Sequence, residues 1–247
     1  MRKTLTTLWR GALDLIVPPS CWICEQSLSG DEPLCAACLD NLTVDNEPVC
    51  PRCASSLAPA AQTANICPRC LTEVFAFDRV VRLGPYDDAR RAAILRAKYP
   101  GGEVFAEAVA PALTGALAKK LTGEKLDVVI PIPLHWRRRW QRGYNQSDIL
   151  ARALAAALNL SVNARGLRRI RYTPKQTTLD SEERRRNVRG VFRTGANCRV
   201  QGANVLLVDD VLTTGATADE SSKVLKKQGA KRIIVAVVAH ERPHSNK

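Results

Sequence analysis

Residues 205–220 read VLLVDDVLTTGATADE. An apolar run suited to a buried strand stops at two aspartates, Asp209 and Asp210. It then passes through Thr213-Thr214-Gly215-Ala216-Thr217 into a helical pattern. In an open α/β sheet ligands gather at the carboxyl ends of strands, and the N–H groups that open a helix bind phosphate. Gly215 lets the backbone approach an anion closely, and the hydroxyls at 213, 214 and 217 add donors. Two carboxylates beside such a cradle would repel a phosphate. They need another task, either accepting hydrogen bonds from hydroxyls or holding a divalent cation. A ribose 5-phosphate uses both halves of the stretch. A bare Asp-Asp would merely end a strand; the order of strand, acids, turn and helix is what points to a phosphosugar. The chain has no GxxxxGK[ST] and no GxGxxG, which disfavours nucleotide hydrolysis and dinucleotide binding.

Outward from this stretch the pattern is α/β. Strands are expected at 77–83, 126–133, 204–209 and 231–240. Helices are expected at 87–99, at 103–121 with a kink or break at Pro111, at 145–160 capped by Asn145 or Ser147, and at 217–230. Segment 180–189 reads as a short helix or a mobile loop. Strands alternating with helices predict a mainly parallel sheet with helices on both faces. A chain of 247 residues accommodates one sizeable core and a small appended module. We divide it into a short amphipathic helix (1–20), a cysteine module (21–75) and the α/β domain (76–247). The aliphatic run at 233–239 is too short to span a bilayer, and the N-terminus lacks the apolar core of a signal peptide. No transmembrane segment and a cytoplasmic location are therefore expected.

Eight of the nine cysteines form four CxxC pairs: Cys21/Cys24, Cys35/Cys38, Cys50/Cys53 and Cys67/Cys70. This spacing turns two thiolates toward one metal, so four pairs supply two closed, four-cysteine Zn2+ sites of structural type. Disulfides are the alternative, and a reducing compartment opposes them. Sequential assignment gives Cys21, Cys24, Cys35 and Cys38 as one site and Cys50, Cys53, Cys67 and Cys70 as the other; cross-braced pairing is also compatible. Cys198 has no partner and reads as an ordinary small side chain.

The net charge of +13 is unevenly spread. Residues 1–75 hold five basic and eight acidic side chains, whereas 135–199 hold sixteen basic against four acidic. The clusters WRRRWQRG and EERRRNVRG lie beside expected loops, which points to an anionic partner: a phosphorylated small molecule or a nucleic acid. Trp136, Trp140 and Tyr144 amid arginines could stack the bases of single-stranded nucleic acid, or serve as core or helix-face residues. His135, His240 and His244 share no metal-like spacing and sit near no obvious nucleophile.

VLLVDDVLTTGAT resembles the loop that binds phosphoribosyl pyrophosphate (PRPP) in type I phosphoribosyltransferases. PIPLHWRRRWQRGYNQS and RYTPKQTTLDSEERRRNVRGVF resemble two signatures of the ComF/GntX branch, the second with Gln176, Leu179, Arg184 and Asn187 on its fixed positions. Members of that branch carry a cysteine-rich zinc segment before the transferase-like domain, so the likeness runs from about 13 to 240. It implies a type I phosphoribosyltransferase-like parallel sheet preceded by a double zinc ribbon, with PRPP and Mg2+ as ligands. Carried over, Asp209 and Asp210 take the ribose hydroxyls, while Thr213, Thr214, Gly215, Ala216 and Thr217 take the 5-phosphate. Arg138, Arg139, Arg142 and Gly143 are candidates for the pyrophosphate. Three consecutive arginines in an extended loop cannot all point inward. Gln176, Arg184 and Asn187 belong to a candidate lid over 174–189, and Lys98 lies near a Lys–aromatic pair that recurs in the family. The resemblance implies a competence protein that binds PRPP–Mg2+ and single-stranded DNA and supports DNA uptake at the cytoplasmic face of the inner membrane. An active phosphoribosyltransferase with an unidentified nucleobase-like acceptor is the alternative, and a scaffold with a vestigial site is a third.

Overall fold

The computed structural model describes residues 19–30, 32–99, 101–173 and 181–241. The expected helix over 1–20 falls almost wholly outside them. The α/β part begins with β1 (Arg79–Pro85), α4 (Asp88–Arg96), α5 (Gly102–Lys120) and β2 (Val128–Pro131), after three short helices in the cysteine module. It continues through α6 (Trp136–Arg142), α7 (Gln146–Leu158), β3 (Ser161–Val162), β4 (Leu167–Arg169), α8 (Ser181–Val188) and β5 (Phe192–Thr194). It closes with β6 (Asn204–Leu212), α9 (Ala216–Lys227) and β7 (Arg232–His240).

Five strands form one parallel sheet in the order β1-β7-β6-β2-β3, and β4 and β5 pair antiparallel beside it. Alternation along the strands fills two cores. Val205, Leu207, Ile233, Val235 and Val80 face one side with Leu225 of α9 and Phe192 of β5. Leu206, Val208, Ile234, Ala236 and Val81 face the other with α4, α5 and α7. The connection from β2 runs outward to β3 across one face, while that from β6 runs through α9 to β7 across the other. The crevice between the carboxyl ends of β2 and β6 is thus the switch point at which a doubly wound sheet receives ligands.

Pro111 lies inside a continuous α5 rather than breaking it. Strand β6 runs to Leu212, three residues beyond its expected end at 209, because Val211 and Leu212 keep pairing with Ala239 and His240 of β7. Residues 136–142, expected as an extended loop, form α6, with the His135 ring as its cap acceptor. Asn145 holds the cap position of α7 without capping it; its amide donates to the Ile132 carbonyl at 3.0 Å instead.

The cysteine module contributes α1 (Ala36–Thr43), α2 (Pro59–Gln62) and α3 (Pro68–Thr72). It repeats a unit that the CxxC spacing only hints at. Around the first knuckle the Cys21 and Leu28 N–H groups donate to Gln26 and Pro19; twenty-nine positions on, Cys50 and Leu57 donate to Ser55 and Pro48. Glu25 and Ala54, at equivalent places, both take positive φ, at 62° and 56°. Each tight hairpin then meets the start of a helix, α1 or α3, whose N-cap is Cys35 or Cys67.

The two halves of the module pack against opposite faces of the sheet. Cys50, Cys53, Cys67 and Cys70 join one core, and Cys21, Cys38 and Leu42 the other. Between them, the Val80 N–H of edge strand β1 donates to the Arg52 carbonyl, so the module covers an edge that would otherwise be open. Arg82 fixes this seam. It reaches Asp45 at 2.9 Å and Glu47 at 3.1 Å, with only 1% of the Arg82 and 3% of the Asp45 side chain exposed. Gly84 lacks a Cβ where one would overlap the fully buried Arg90 guanidinium, which bonds the Leu42 and Val44 carbonyls. Asp45→Ala strands part of the Arg82 charge and is expected to lower stability by about 3 kcal/mol. Urea unfolding checks this, and adding Arg82→Met should recover most of the loss.

Candidate functional site

The sulfur atoms of Cys21, Cys24, Cys35 and Cys38 all lie within 4.8 Å of one another, as do those of Cys50, Cys53, Cys67 and Cys70. Pairing is therefore sequential and not cross-braced. The Cys24–Cys35 and Cys53–Cys67 sulfur separations of 3.7 and 3.5 Å approach the edge of a tetrahedron with Zn–S bonds of about 2.3 Å. The donor chemistry fits as well. Burial, joined by neighbouring thiolates, pushes the Cys53 thiol far up, and a bound cation relieves that cost. All four cysteines of the second site are buried, whereas Cys24 of the first is exposed. These are structural zinc-ribbon sites.

The carboxylates are placed by β6. Successive strand residues face opposite ways, so Asp209 and Asp210 take different partners. Asp209 Oδ1 accepts from Ser147 Oγ at 3.0 Å, at the start of α7, and from the Asp210 N–H at 2.9 Å. Asp210 Oδ2 meets Lys98 Nζ at 2.7 Å. Burial first, and the Asp210 charge second, raise the Asp209 carboxyl to about 7. The Asp209 carboxyl is thus poised between its two states near neutral pH.

Thr213, Thr214 and Gly215 link β6 to α9, with Gly215 as the N-cap at φ 71°, a conformation suited to glycine. Ala216 and Thr217 form the first turn, whose N–H groups have no helical carbonyl to bond and can receive an anion. The Ala216 N–H has the Thr214 hydroxyl at 3.4 Å.

Arginines stand opposite. Arg142 donates to Gln146 Oε1 at 2.6 Å; burial lowers its pKa while Asp210 pulls it back up. Arg138 donates to the Thr173 carbonyl at 2.8 Å. Arg139 is exposed on α6, and Gly143 ends that helix at φ 88°. Sequence reading missed Arg169 on β4. Burial and the Arg138 charge push its guanidinium down to about 10, Asp209 lies within electrostatic range, and its buried Nε lacks a hydrogen-bond partner. No spacing signal marks this residue, because only the β4–β5 hairpin brings it to the crevice. Lys98 was visible in sequence without a role, and its role is to pair with Asp210. Partly dehydrated cations facing a half-neutralised acid pair form a site suited to a polyanion bearing hydroxyls.

Of the lid candidates, Gln176 lies outside the described residues, as does the side chain of Arg184. Asn187 lies on α8 with its Nδ2 buried and unpartnered. Near the end of α8, the Gly190 N–H donates to Glu220 of α9 at 2.6 Å. Among the aromatics, Trp136 and Trp140 are 64% and 84% exposed, with the Arg137 guanidinium 5.3 Å from the Trp136 ring. Tyr144 takes the core role that is the alternative to stacking. It is buried, and its hydroxyl donates to the Ala97 carbonyl. Tyr172 takes its place among the arginines, with the His135 ring 5.4 Å away and Arg138 over its face at 5.5 Å. Burial and nearby arginines lower the His135 pKa, which keeps that ring neutral at pH 7.

Residues 12–75 match the double zinc ribbon domain family, and residues 141–247 match the phosphoribosyl transferase domain family. The DNA utilization protein YhgH of Shigella flexneri is 33% identical over 225 residues, spanning 90% of this chain and 96% of that one. Competence protein F of Haemophilus influenzae is 33% identical over 206 residues, spanning 82% of this chain and 88% of that one. A solved purine phosphoribosyltransferase from Pyrococcus horikoshii Ot3 is 22% identical with a TM-score of 0.37, over 54% of this chain and 73% of that one. Relatives this similar over nearly their full length put this protein, with its ribbon and transferase domains, in the competence protein F family.

Proposed function

We propose that the crevice between β2 and β6 binds PRPP with Mg2+, and that the protein couples this ligand to the handling of single-stranded DNA. The observation that carries the first half is the Asp209–Asp210 pair followed by the Thr213–Thr217 loop at the switch point. The acids take the ribose hydroxyls and the loop takes the 5-phosphate, while Arg142, Arg138 and Arg169 face the pyrophosphate. Arg139 and Gly143 flank that side. Mg2+ would neutralise the pyrophosphate, with ligand oxygens and water filling most of its shell.

Calorimetric titration with PRPP and Mg2+ tests this directly; absence of binding by the folded, zinc-loaded protein would sink it. The nucleic-acid half is supported by Trp136, Trp140 and Tyr172 interleaved with Arg137 and Arg138, and by relatives named for competence and DNA utilization. A gel-shift titration with single-stranded DNA at low salt is expected to show binding. Reversing Arg137 and Arg139 to Glu should flatten its salt dependence by about one unit of log–log slope per lost phosphate contact. Absence of binding at low salt removes the DNA half. DNA uptake at the cytoplasmic face of the inner membrane is the setting we infer. No described helix is long and apolar enough to cross a membrane.

A transferase reading draws on one observation. An Asp209 carboxyl at about 7 is tuned to exchange a proton near neutral pH. Release of pyrophosphate from PRPP in the presence of one member of a nucleobase panel would establish it.

A further inference from the structure

Arg69 lies inside the last CxxC knuckle, between Cys67 and Cys70 of the second zinc site, and its guanidinium donates to the Thr214 carbonyl of the phosphate loop. The same guanidinium pairs with Glu73 at 2.8 Å and lies 4.7 Å from the Phe75 ring centre. Phe75 stacks on Phe77 with centroids 4.7 Å apart, and both rings stand 3.7 to 3.8 Å from where a Cβ on Gly215 would sit. The Ala76 N–H donates to Asp219 Oδ1 at 2.7 Å, and the Asp219 N–H donates to the Gly215 carbonyl at 2.8 Å. The segment that ends the second ribbon therefore grips the loop at the Thr214 carbonyl, the Gly215 turn and the first turn of α9.

The carbonyl contact has a geometric consequence. In a trans peptide the C=O and N–H point in opposite directions. Holding the Thr214 carbonyl toward the ribbon aims the Gly215 N–H of the same peptide away from it. A loop containing glycine is otherwise free to flip that unit, and a flip would present an oxygen to an incoming anion. Arg69 removes this alternative before the ligand arrives, which is how a preorganised site avoids an ordering cost on binding.

The first ribbon is tied down by similar chemistry elsewhere. Arg96 donates to the Trp22 carbonyl and lies over the Trp22 and Phe105 rings, on the other face of the sheet. The two zinc sites thus have the same fold and different reach.

We propose that Arg69 is a positioning residue through which the second zinc ribbon, and not the first, sets the phosphate loop. This rests on the PRPP reading above. The test compares wild type with Arg69→Ala, Arg69→Lys and Arg96→Ala. Each is measured for zinc per chain, amide exchange across 213–217 without ligand, and calorimetric affinity for PRPP–Mg2+, ribose 5-phosphate and pyrophosphate–Mg2+.

Arg69→Ala is expected to keep both zincs and to exchange faster at 213–217. It should lose about tenfold or more in affinity for PRPP and ribose 5-phosphate alike, with pyrophosphate unchanged. Arg69→Lys restores most of the loss, and Arg96→Ala matches wild type. Unaltered exchange and phosphate affinity in Arg69→Ala overturn the inference while leaving the PRPP reading intact. Loss of its second zinc overturns it too, since the residue would then serve the metal site and not the loop. A wild type that binds no PRPP overturns the reading instead, and the exchange data then decide the positioning role alone.

Discussion

Cys53→Ser is expected to leave the protein unable to fold at 25 °C, with far-UV ellipticity and zinc content both lost. Structural zinc contributes about 10 kcal/mol or more per site, comparable with the whole stability of a typical domain at about 5–15 kcal/mol. The second site is the sensitive one because its cysteines are part of the core under β1, β6 and β7, together with Phe75 and Phe77. Removing one ligand there uncovers apolar surface on the sheet itself. The first site, where Cys24 is exposed, should yield its metal sooner to a chromophoric chelator. Stepwise chelation followed by circular dichroism reads both events: one zinc leaves with modest change, and the second leaves as the fold collapses. A Cys53→Ser protein with native ellipticity and one zinc per chain would contradict the view that this site supports the core.

Asp209→Asn combined with Asp210→Asn is expected to lower PRPP affinity at least about a hundredfold. Hydrogen bonds to charged groups contribute about 1.5–3 kcal/mol each, and the amides accept them more weakly. Asp209→Asn alone, which keeps the Lys98–Asp210 pair, should make the free protein more stable at pH 8. With Asp209 raised to about 7, against ~3.9 in an unfolded chain, the folded state binds the extra proton between those values. Stability therefore falls as pH rises through that window and stays low above it. Asn carries no such charge, so the variant and wild type should melt together near pH 4. At pH 8 the variant should melt several degrees higher, given that about 1 kcal/mol moves Tm by about 2–4 °C at this size. Ligand hydroxyls favour the ionised acid, so binding near pH 7 should release protons, seen as a dependence of calorimetric heat on buffer. A double variant with wild-type affinity would leave the carboxylates with no part in binding.

Much of this protein is legible in one dimension. The strands expected at 77–83, 126–133, 204–209 and 231–240 announce themselves as largely apolar runs because both faces of a parallel sheet are buried. The two metal sites are legible because a CxxC knuckle places its ligands through local geometry alone. Short-range pattern failed where the environment overrides it. Strand β6 continues past its acids because β7 keeps offering partners, and Arg-rich 136–142 is helical although its composition reads as a solvated loop. The twenty-nine-residue repeat of the ribbons escaped notice since it lives in backbone hydrogen bonds and positive φ, with few shared side chains beyond the cysteines.

The sequence by itself determined the fold class, the metal ligands and the acid–loop element, each written in residues close together along the chain. Tertiary structure decided the company those elements keep: Lys98 and Ser147 on the carboxylates, Arg169 opposite them, and Arg69 on the Thr214 carbonyl. It also decided that the two ribbons sit on opposite faces of one sheet. These contacts join positions tens to more than a hundred residues apart, where no periodicity or spacing links the partners. A lone arginine between two cysteines reads as a surface charge until the chain folds its loop against it.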